Sequence, residues 1–199
     1  MPTPALIAVS SYTVPPTPRP HSASRLALLL SRSDAGGAPG SVSPAVLAEA
    51  RALGLATTAA LVNVLLAGAL RVPQRDRSAE AACDLAGALQ LETTLPRLLA
   101  LVDVGRTPLS LYRAAVRAIG RMGPAALGPV GEAVEKARAR VELHRGEGEE
   151  RLFSSAVARL GRHLEAAAAV NAALRETPAA NAPSPGPVRP ERSGRNAAA

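Results

Sequence analysis

The repetition of small residues at a fixed interval constrains the fold of this chain more than any other sequence feature. Three glycines lie 33 residues apart: Gly54, Gly87 and Gly120. Three alanines share the same step: Ala67, Ala100 and Ala133. Periods of about 20 to 50 residues are typical of arrays in which each helical pair buries its apolar face only against its neighbours. The sequence therefore predicts a stack of similar helical hairpins.

Each repeat divides into two helices, most clearly in the third unit. Its apolar residues recur at steps of three and four, which is the helical period: Leu109, Tyr112, Ala115, Ile119 and Met122. Gly123 and Pro124 end that helix, and the apolar run from Ala125 supplies a second one. Pro129 fits this second helix only near its first turn.

Two Ser/Thr-Pro pairs predict where first helices begin. Ser43 precedes Pro44, and Thr107 precedes Pro108. Serine and threonine cap helix N-termini, and proline is tolerated at the first helical position because its missing N–H has no partner there.

Composition divides the chain into one domain and two tails. Residues 1–42 and 177–199 are rich in Pro, Ser, Gly and Ala without sustained periodicity, a composition that does not repay the entropy of ordering. We therefore predict disordered tails at both ends and a helical domain over 43–176.

The stretch "YRAAVRAIGRMGPAALGPVGEAV" resembles a HEAT-type helical repeat, in which an Arg-x-Ala-Ala-like helix ends near Gly and the next helix has an early proline. The resemblance is closest over 109–140, looser over 78–104, and loosest over 44–70, where Asn63 replaces the proline. It implies an all-α fold, a short α-solenoid of about three hairpins with a C-terminal capping helix or hairpin. If 149–176 is one capping helix, five apolar residues should face inward: Phe153, Val157, Leu160, Leu164 and Leu174.

Three arginines form the candidate binding site: Arg113, Arg117 and Arg121. Their four-residue spacing places them on one helical face. The next helix adds a second basic group: Lys136, Arg138 and Arg140. The 33-residue offset also predicts surface ion pairs between Glu80 and Arg113 and between Asp84 and Arg117, worth about 0 to 1 kcal/mol each.

The segment 52–70 carries no charge and is close to the about 20 residues of a spanning helix. Asn63 and several threonines and glycines oppose insertion, and the repeat runs through this segment, so a membrane span is the less favoured alternative. The apolar run "LALLL" is too short for a signal-peptide core, so we expect a cytoplasmic protein.

The sequence contains no phosphate-loop Gly-Lys-Ser/Thr, no Gly-x-Ser-x-Gly elbow and no dinucleotide-binding glycine pattern. We expect its three histidines to be solvated and Cys83 to be a small core residue rather than a nucleophile. The sequence thus predicts no catalytic residue, no metal site and no cofactor. Some proteins that resemble HEAT repeats are enzymes, such as bilin lyases, but no residue here supports that activity.

These observations favour a non-catalytic scaffold that binds another protein, through an acidic segment of that partner. The net charge of +7 and the arginine face leave a nucleic-acid-binding module as the first alternative. A membrane-associated helical protein spanning at 52–70 is the second. Salt dependence of binding separates the protein partner from the nucleic acid.

Overall fold

The computed structural model describes residues 20–32, 40–72, 77–145 and 150–176. Within them the chain forms eight α-helices, one 3₁₀ turn and no strand, so the prediction of an all-α fold is confirmed. The helices are α1 (Pro20–Arg32), α2 (Pro44–Leu53), α3 (Leu55–Arg71), α4 (Arg77–Ala88), α5 (Leu95–Asp103), α6 (Leu109–Arg121), α7 (Pro124–His144) and α8 (Glu150–Glu176), and the 3₁₀ turn is Glu92–Thr94.

Helix α1 corrects the predicted N-terminal tail. Leu26 and Leu30 are four residues apart on one helical face, and both are fully buried in the core. The helix packs against α2, α3 and α4. Its apolar stripe gains enough contact with α4 to offset the entropy of ordering that the composition argument emphasised. Residues 1–19 and 33–39, and the predicted tail at 177–199, lie outside the described residues.

Gly54 separates α2 from α3 and turns the chain sharply. Its φ of +86° lies in the region that favours glycine. The direction of the chain bends by 115° between the two helices. The buried Thr58 side chain fastens the corner, because its Oγ1 donates to the carbonyl oxygen of Ala50 at 2.9 Å. Ser43 caps α2, as its sequence predicts.

The uncharged segment 52–70 is divided by this corner. In the part of the chain that the structure describes, no single helix is long and apolar enough to cross a membrane. Helices α2 and α3 meet the length and composition requirement only as a bent pair.

Gly87 and Gly120 occupy equivalent places, each as the penultimate residue of a helix that packs closely on the next. A Cβ on Gly87 would lie 2.8 Å from the Cα of Ala118 in α6. A Cβ on Gly120 would lie 3.2 Å from the Cβ of Ala169 in α8. Gly54 differs, because it follows the end of α2 instead of lying within it. The register therefore holds for two of the three glycines.

The helices alternate between two sets of neighbours. Helix α6 packs between α4 and α8, while α5 contacts α3 and α7. The most extensive contacts between the two sets join α3 to α4, α5 to α6, and α7 to α8. Each pair thus links the second helix of one predicted unit to the first helix of the next. The tight turn at Gly123, with a φ of +56°, leaves α6 and α7 in less extensive contact than these pairs.

Helix α8 is a single helix of 27 residues, so the fourth segment is not a hairpin. Its predicted inward face is wrong for Phe153, Val157 and Leu164, which are exposed. Leu160 is half-buried, and Leu174 packs against the core as predicted. The residues that α8 buries are smaller or polar: Ala156, His163, Ala166 and Val170. At Ala169, where Gly120 brings α6 close to α8, only a small side chain fits between the two helices.

The start of α6 also differs from the prediction. The helix begins at Leu109 with Pro108 at the N-cap, one residue later than expected. The Thr107 hydroxyl does not cap α6, because it donates to the carbonyl oxygen of Leu101 at 2.8 Å. Pro129 lies in the second turn of α7, where its missing N–H removes one helical hydrogen bond.

Candidate functional site

An open groove runs between α5 and α7 and ends against α8. It consists of a cleft of about 270 Å³ and an adjoining one of about 380 Å³. Four residues line both clefts: Pro96, Leu99, Ala133 and Lys136. We call this continuous surface the α5–α7–α8 groove. Its floor is apolar, and its charged residues are divided between its two ends.

The end of the groove beside α8 is basic. Lys136 and Arg140 project from α7 one turn apart, and Arg159 and His163 project from α8 with the same spacing. Asp103, the last residue of α5, is the one carboxylate that lines this cleft. Lys136, Arg140 and Arg159 thus face one carboxylate, so the cations of this end outnumber its anion even when His163 is not counted.

Asp103 positions the two α8 side chains. Its Oδ1 lies 3.0 Å from Nε of Arg159 and 3.1 Å from Nε2 of His163. Because Nε of Arg159 is used on Asp103, the two terminal nitrogens of that guanidinium remain to meet a ligand. A planar guanidinium is well suited to bind a carboxylate through two parallel hydrogen bonds.

His163 contradicts the expectation of a solvated histidine, since it is only 4% exposed. Its Nε2 lies 3.1 Å from Oδ1 of Asp103, and its Nδ1 is buried without a hydrogen-bond partner. His163 therefore lines the cleft with a ring whose position is fixed by its contact with Asp103.

Arg162 secures the same corner from outside the cleft. Its Nε donates to the carbonyl oxygen of Val102 at 2.8 Å, and one Nη donates to the carbonyl oxygen of Asp103 at 2.9 Å. These carbonyls belong to the last turn of α5, where helical partners are missing. The contact holds the C-terminus of α5 against α8 and so fixes the position of Asp103.

Two cations of the basic end are available to a partner. Arg140 is exposed and has no ion pair with any described residue. Lys136 lies 3.6 Å from Glu132, but both side chains are about three-quarters exposed, and such pairs contribute little. At the opposite end, Glu92 and Glu132 outnumber Lys136, which lines both clefts, so that end carries a net negative charge. The groove is therefore polarised along its length.

Only part of the predicted basic group on α7 belongs to the groove. Arg138 points elsewhere, since it pairs with Glu135 at 2.9 Å on an exposed face. Lys136 and Arg140 were predicted, whereas Arg159, His163 and Asp103 were not. The spacing of Arg159 and His163 was visible in the sequence, but nothing local indicated that Asp103 would lie between them.

The three predicted arginines have unequal surroundings. Arg117 pairs with Asp84 at 3.2 Å, as predicted, and Arg121 lies 3.9 Å from the same carboxylate. Arg113 is exposed, and its predicted partner Glu80 accepts a hydrogen bond from Ser110. Burial raises the pKa of Asp84 above its ordinary value, although Arg117 acts to lower it.

Backbone also covers the paired arginines. A Cβ on Gly40 would lie 2.9 Å from Nε of Arg117 and 3.0 Å from a terminal nitrogen of Arg121. Nε of Arg117 is buried without a hydrogen-bond partner. Of the three arginines, Arg113 is thus the one that presents its guanidinium without an ion pair within the described residues.

Cys83 lies in the interior of α4 and is fully buried. Burial and the neighbouring carboxylate of Asp84 raise the pKa of the thiol well above its ordinary value. A thiol that stays protonated and inaccessible is a poor nucleophile. Among the residues that the structure describes, no group of three or more His, Cys, Asp or Glu side chains is placed to hold a metal ion.

The α5–α7–α8 groove thus offers an apolar floor, a rigid basic end and an acidic end. Comparison of the chain with known protein families, curated proteins and solved structures found no match.

Proposed function

We propose that this protein is a short HEAT-like helical array that acts without a cofactor and binds an acidic segment of another protein. The segment lies in the α5–α7–α8 groove. The observation that carries the proposal is the combination of an apolar floor with a cleft end at which three cations face one carboxylate and Arg140 has no ion pair among the described residues. Apolar surface supplies affinity, and the charges supply orientation.

The packing of the helices supports the HEAT-like part of the proposal. Gly87 and Gly120 are 33 residues apart and make equivalent close approaches to the following helix of their set. The order of contacts, α4 to α6 to α8 and α3 to α5 to α7, is the order expected of stacked units. Surfaces formed along such stacks commonly bind extended or helical segments of other proteins.

The groove favours a segment that is apolar on one side and acidic at one end. Leu99, Pro96 and Ala133 provide the contact for the apolar side. Lys136 and Arg140 attract carboxylates at the α8 end, whereas Glu92 and Glu132 repel them at the other end. The partner segment is therefore expected to bind in one direction.

A nucleic-acid ligand has less support. Affinity for duplex DNA depends on the number of phosphates that basic side chains neutralise. Asp84 already neutralises much of the charge of Arg117 and Arg121, which leaves Arg113 as the unpaired member of the predicted face. We therefore place the binding site in the groove and not on α6.

The proposal is tested by selecting random peptides of about 16 residues, displayed on phage, against the full chain. We expect the selected peptides to be enriched in Asp and Glu beside apolar residues at helical spacing. The double variant Lys136→Glu/Arg140→Glu should weaken their binding by at least about tenfold. Arg138→Glu, on the other side of α7, is the matched control for the single variant Arg140→Glu, which makes the same charge change. Arg138→Glu should change binding by less than about twofold, and Arg140→Glu should weaken it by more.

Selected peptides without acidic enrichment, or an equal loss for Arg138→Glu, would overturn the proposal. The same protein is titrated with duplex DNA at low and at physiological salt. Steeply salt-dependent binding that Arg113→Ala weakens would replace the groove with the nucleic-acid alternative. The absence of such binding, together with acidic peptides that depend on Lys136 and Arg140, supports the groove.

A further inference from the structure

Helix α8 carries an apolar face that no described element of the chain covers. Phe153, Val157 and Leu164 are 36%, 44% and 44% exposed. The same face also exposes three small residues, one between Val157 and Leu164 and two after Leu164: Gly161, Ala168 and Ala172. All six recur at the three- and four-residue steps of one helical face. Side chains of this size exposed in one stripe indicate an interaction surface.

The large and small residues are ordered along this face so that two antiparallel copies of it are complementary in shape. If a second α8 runs antiparallel, with the two-fold axis between positions 162 and 163, each large residue meets a small one. Phe153 then lies opposite the partner's Ala172, and Val157 lies opposite the partner's Ala168. Leu164 lies opposite the partner's Gly161. Alternation of large and small side chains across facing positions is what close helix packing requires.

The charges at the two ends of the face follow the same symmetry. Glu150 and Arg175 are exposed at opposite ends of α8 on this side of the helix. The antiparallel arrangement that matches the apolar residues also places Glu150 opposite the partner's Arg175, twice per pair of chains. Between these ends, Ser154 lies opposite the partner's Asn171, so polar groups also meet polar groups.

We propose that two copies of this chain associate through α8, antiparallel and about a two-fold axis that passes beside Gly161 and Leu164. This geometry gives an isologous contact, the commonest kind in homodimers. A Cβ on Gly161 would meet nothing within 4 Å, so the helix surface is open at the crossing point. The missing side chain there admits Leu164 of the partner subunit and allows the axes to approach to about 8 Å.

Charge favours a second copy at this face over other faces of the chain. The protein carries a net charge of +7, so most of its surfaces repel a second copy. The α8 face carries one acid and one base, and the antiparallel arrangement brings them together. The association extends over the 27 residues of α8, about 40 Å.

The α5–α7–α8 groove stays open in this arrangement. Arg159 and His163 line the groove from α8, and the helical period places them on the far side of the helix from Val157 and Ala168. The two-fold association thus does not use the groove residues, and each dimer presents two grooves. Two linked sites would bind a partner with two acidic segments more tightly than one site does.

Sedimentation velocity of the full chain from about 1 μM to about 300 μM measures the association. We expect a concentration-dependent shift from monomer to dimer for the wild-type chain. Glu150→Arg and Arg175→Glu should each raise the dissociation constant by at least about threefold, because each brings two like charges together. The double variant Glu150→Arg/Arg175→Glu restores both pairs and should return to within about twofold of the wild type.

The recovery of association in the double variant distinguishes charge pairing between two chains from an effect of either charge within its own helix. If the two charges act only on the helix dipole, the double variant is the worst of the three and the proposal fails. Val157→Asp should abolish the dimer, and Ala158→Asp, an exposed position off the face, should not. Circular dichroism checks that each variant keeps its helix content. A wild-type chain that stays monomeric throughout, or a dimer that is insensitive to Val157→Asp, would also overturn the proposal.

Discussion

Arg162 of α8 donates a hydrogen bond from Nε to the carbonyl oxygen of Val102, 2.8 Å away at the end of α5. Sixty positions of sequence separate the two residues, so this contact forms only when α8 packs against the end of α5. It satisfies a carbonyl that the helix itself leaves free. By fixing the end of α5, it also fixes Asp103, which holds the side chains of Arg159 and His163 at the groove.

Arg162→Ala should lower the free energy of unfolding by about 1 to 3 kcal/mol, because two partly buried carbonyls lose a charged donor. Urea denaturation followed by circular dichroism measures the change. Arg151→Ala is the control, since Arg151 is exposed near the start of α8, and its effect should stay within about 0.5 kcal/mol. Equal effects of the two variants would show that Arg162 contributes no more than an ordinary surface side chain.

Gly87→Ala should destabilise the protein by about 1 to 3 kcal/mol, since its Cβ would lie 2.8 Å from the backbone of α6 and the two helices must separate. Gly131→Ala provides the opposite case. Gly131 is exposed within α7 with nothing near its missing Cβ, so alanine should stabilise the helix by about 0.5 to 1 kcal/mol. Thermal melting of both variants shows whether each substitution lowers or raises the stability of the protein. Stabilisation by both substitutions would contradict the close approach of α4 and α6.

Leu26→Ala tests whether α1 is part of the core. Leu26 is fully buried, and its truncation should cost about 2 to 5 kcal/mol. Leu28→Ala on the same helix should cost far less, because Leu28 is about half exposed. Denaturant titration compares the two variants. A negligible effect of Leu26→Ala would show that residues 20–32 do not contribute to the core, as the prediction of an N-terminal tail stated.

The stability of the protein should depend on pH through Asp84. Because burial raises the pKa of Asp84 in the folded state, the folded protein binds the proton more tightly than the unfolded chain. The contribution of this residue is therefore greatest below the unfolded pKa of about 3.9 and is lost as pH rises through the folded pKa. Relative to Asp84→Asn, which lacks this titration, the wild type should gain stability on acidification.

Urea titrations of the wild type and Asp84→Asn at pH 7 and at mildly acidic pH measure this difference. If the wild type instead loses stability relative to Asp84→Asn on acidification, the ion pair with Arg117 outweighs the cost of burial.

The sequence by itself determined the helical character of the chain and several of its local signals. Ser43 and Pro44 start α2, Gly54 ends it, and the stripe that contains Tyr112 and Ile119 is buried. Signals of this kind arise within a few residues, where capping, backbone freedom and helical period decide the outcome. The 33-residue offset also identified the contact between Asp84 and Arg117.

Tertiary packing decided which apolar residues are covered. The sequence predicted Leu26 in a tail and Phe153 in the core, but Leu26 is buried and Phe153 is exposed. Burial depends on which helices pack beside each residue, and this is decided by the tertiary fold. It also brought Asp103, Arg159 and His163 together from two distant helices. Helical period identifies a face, but only the assembled neighbours determine whether that face meets protein or solvent.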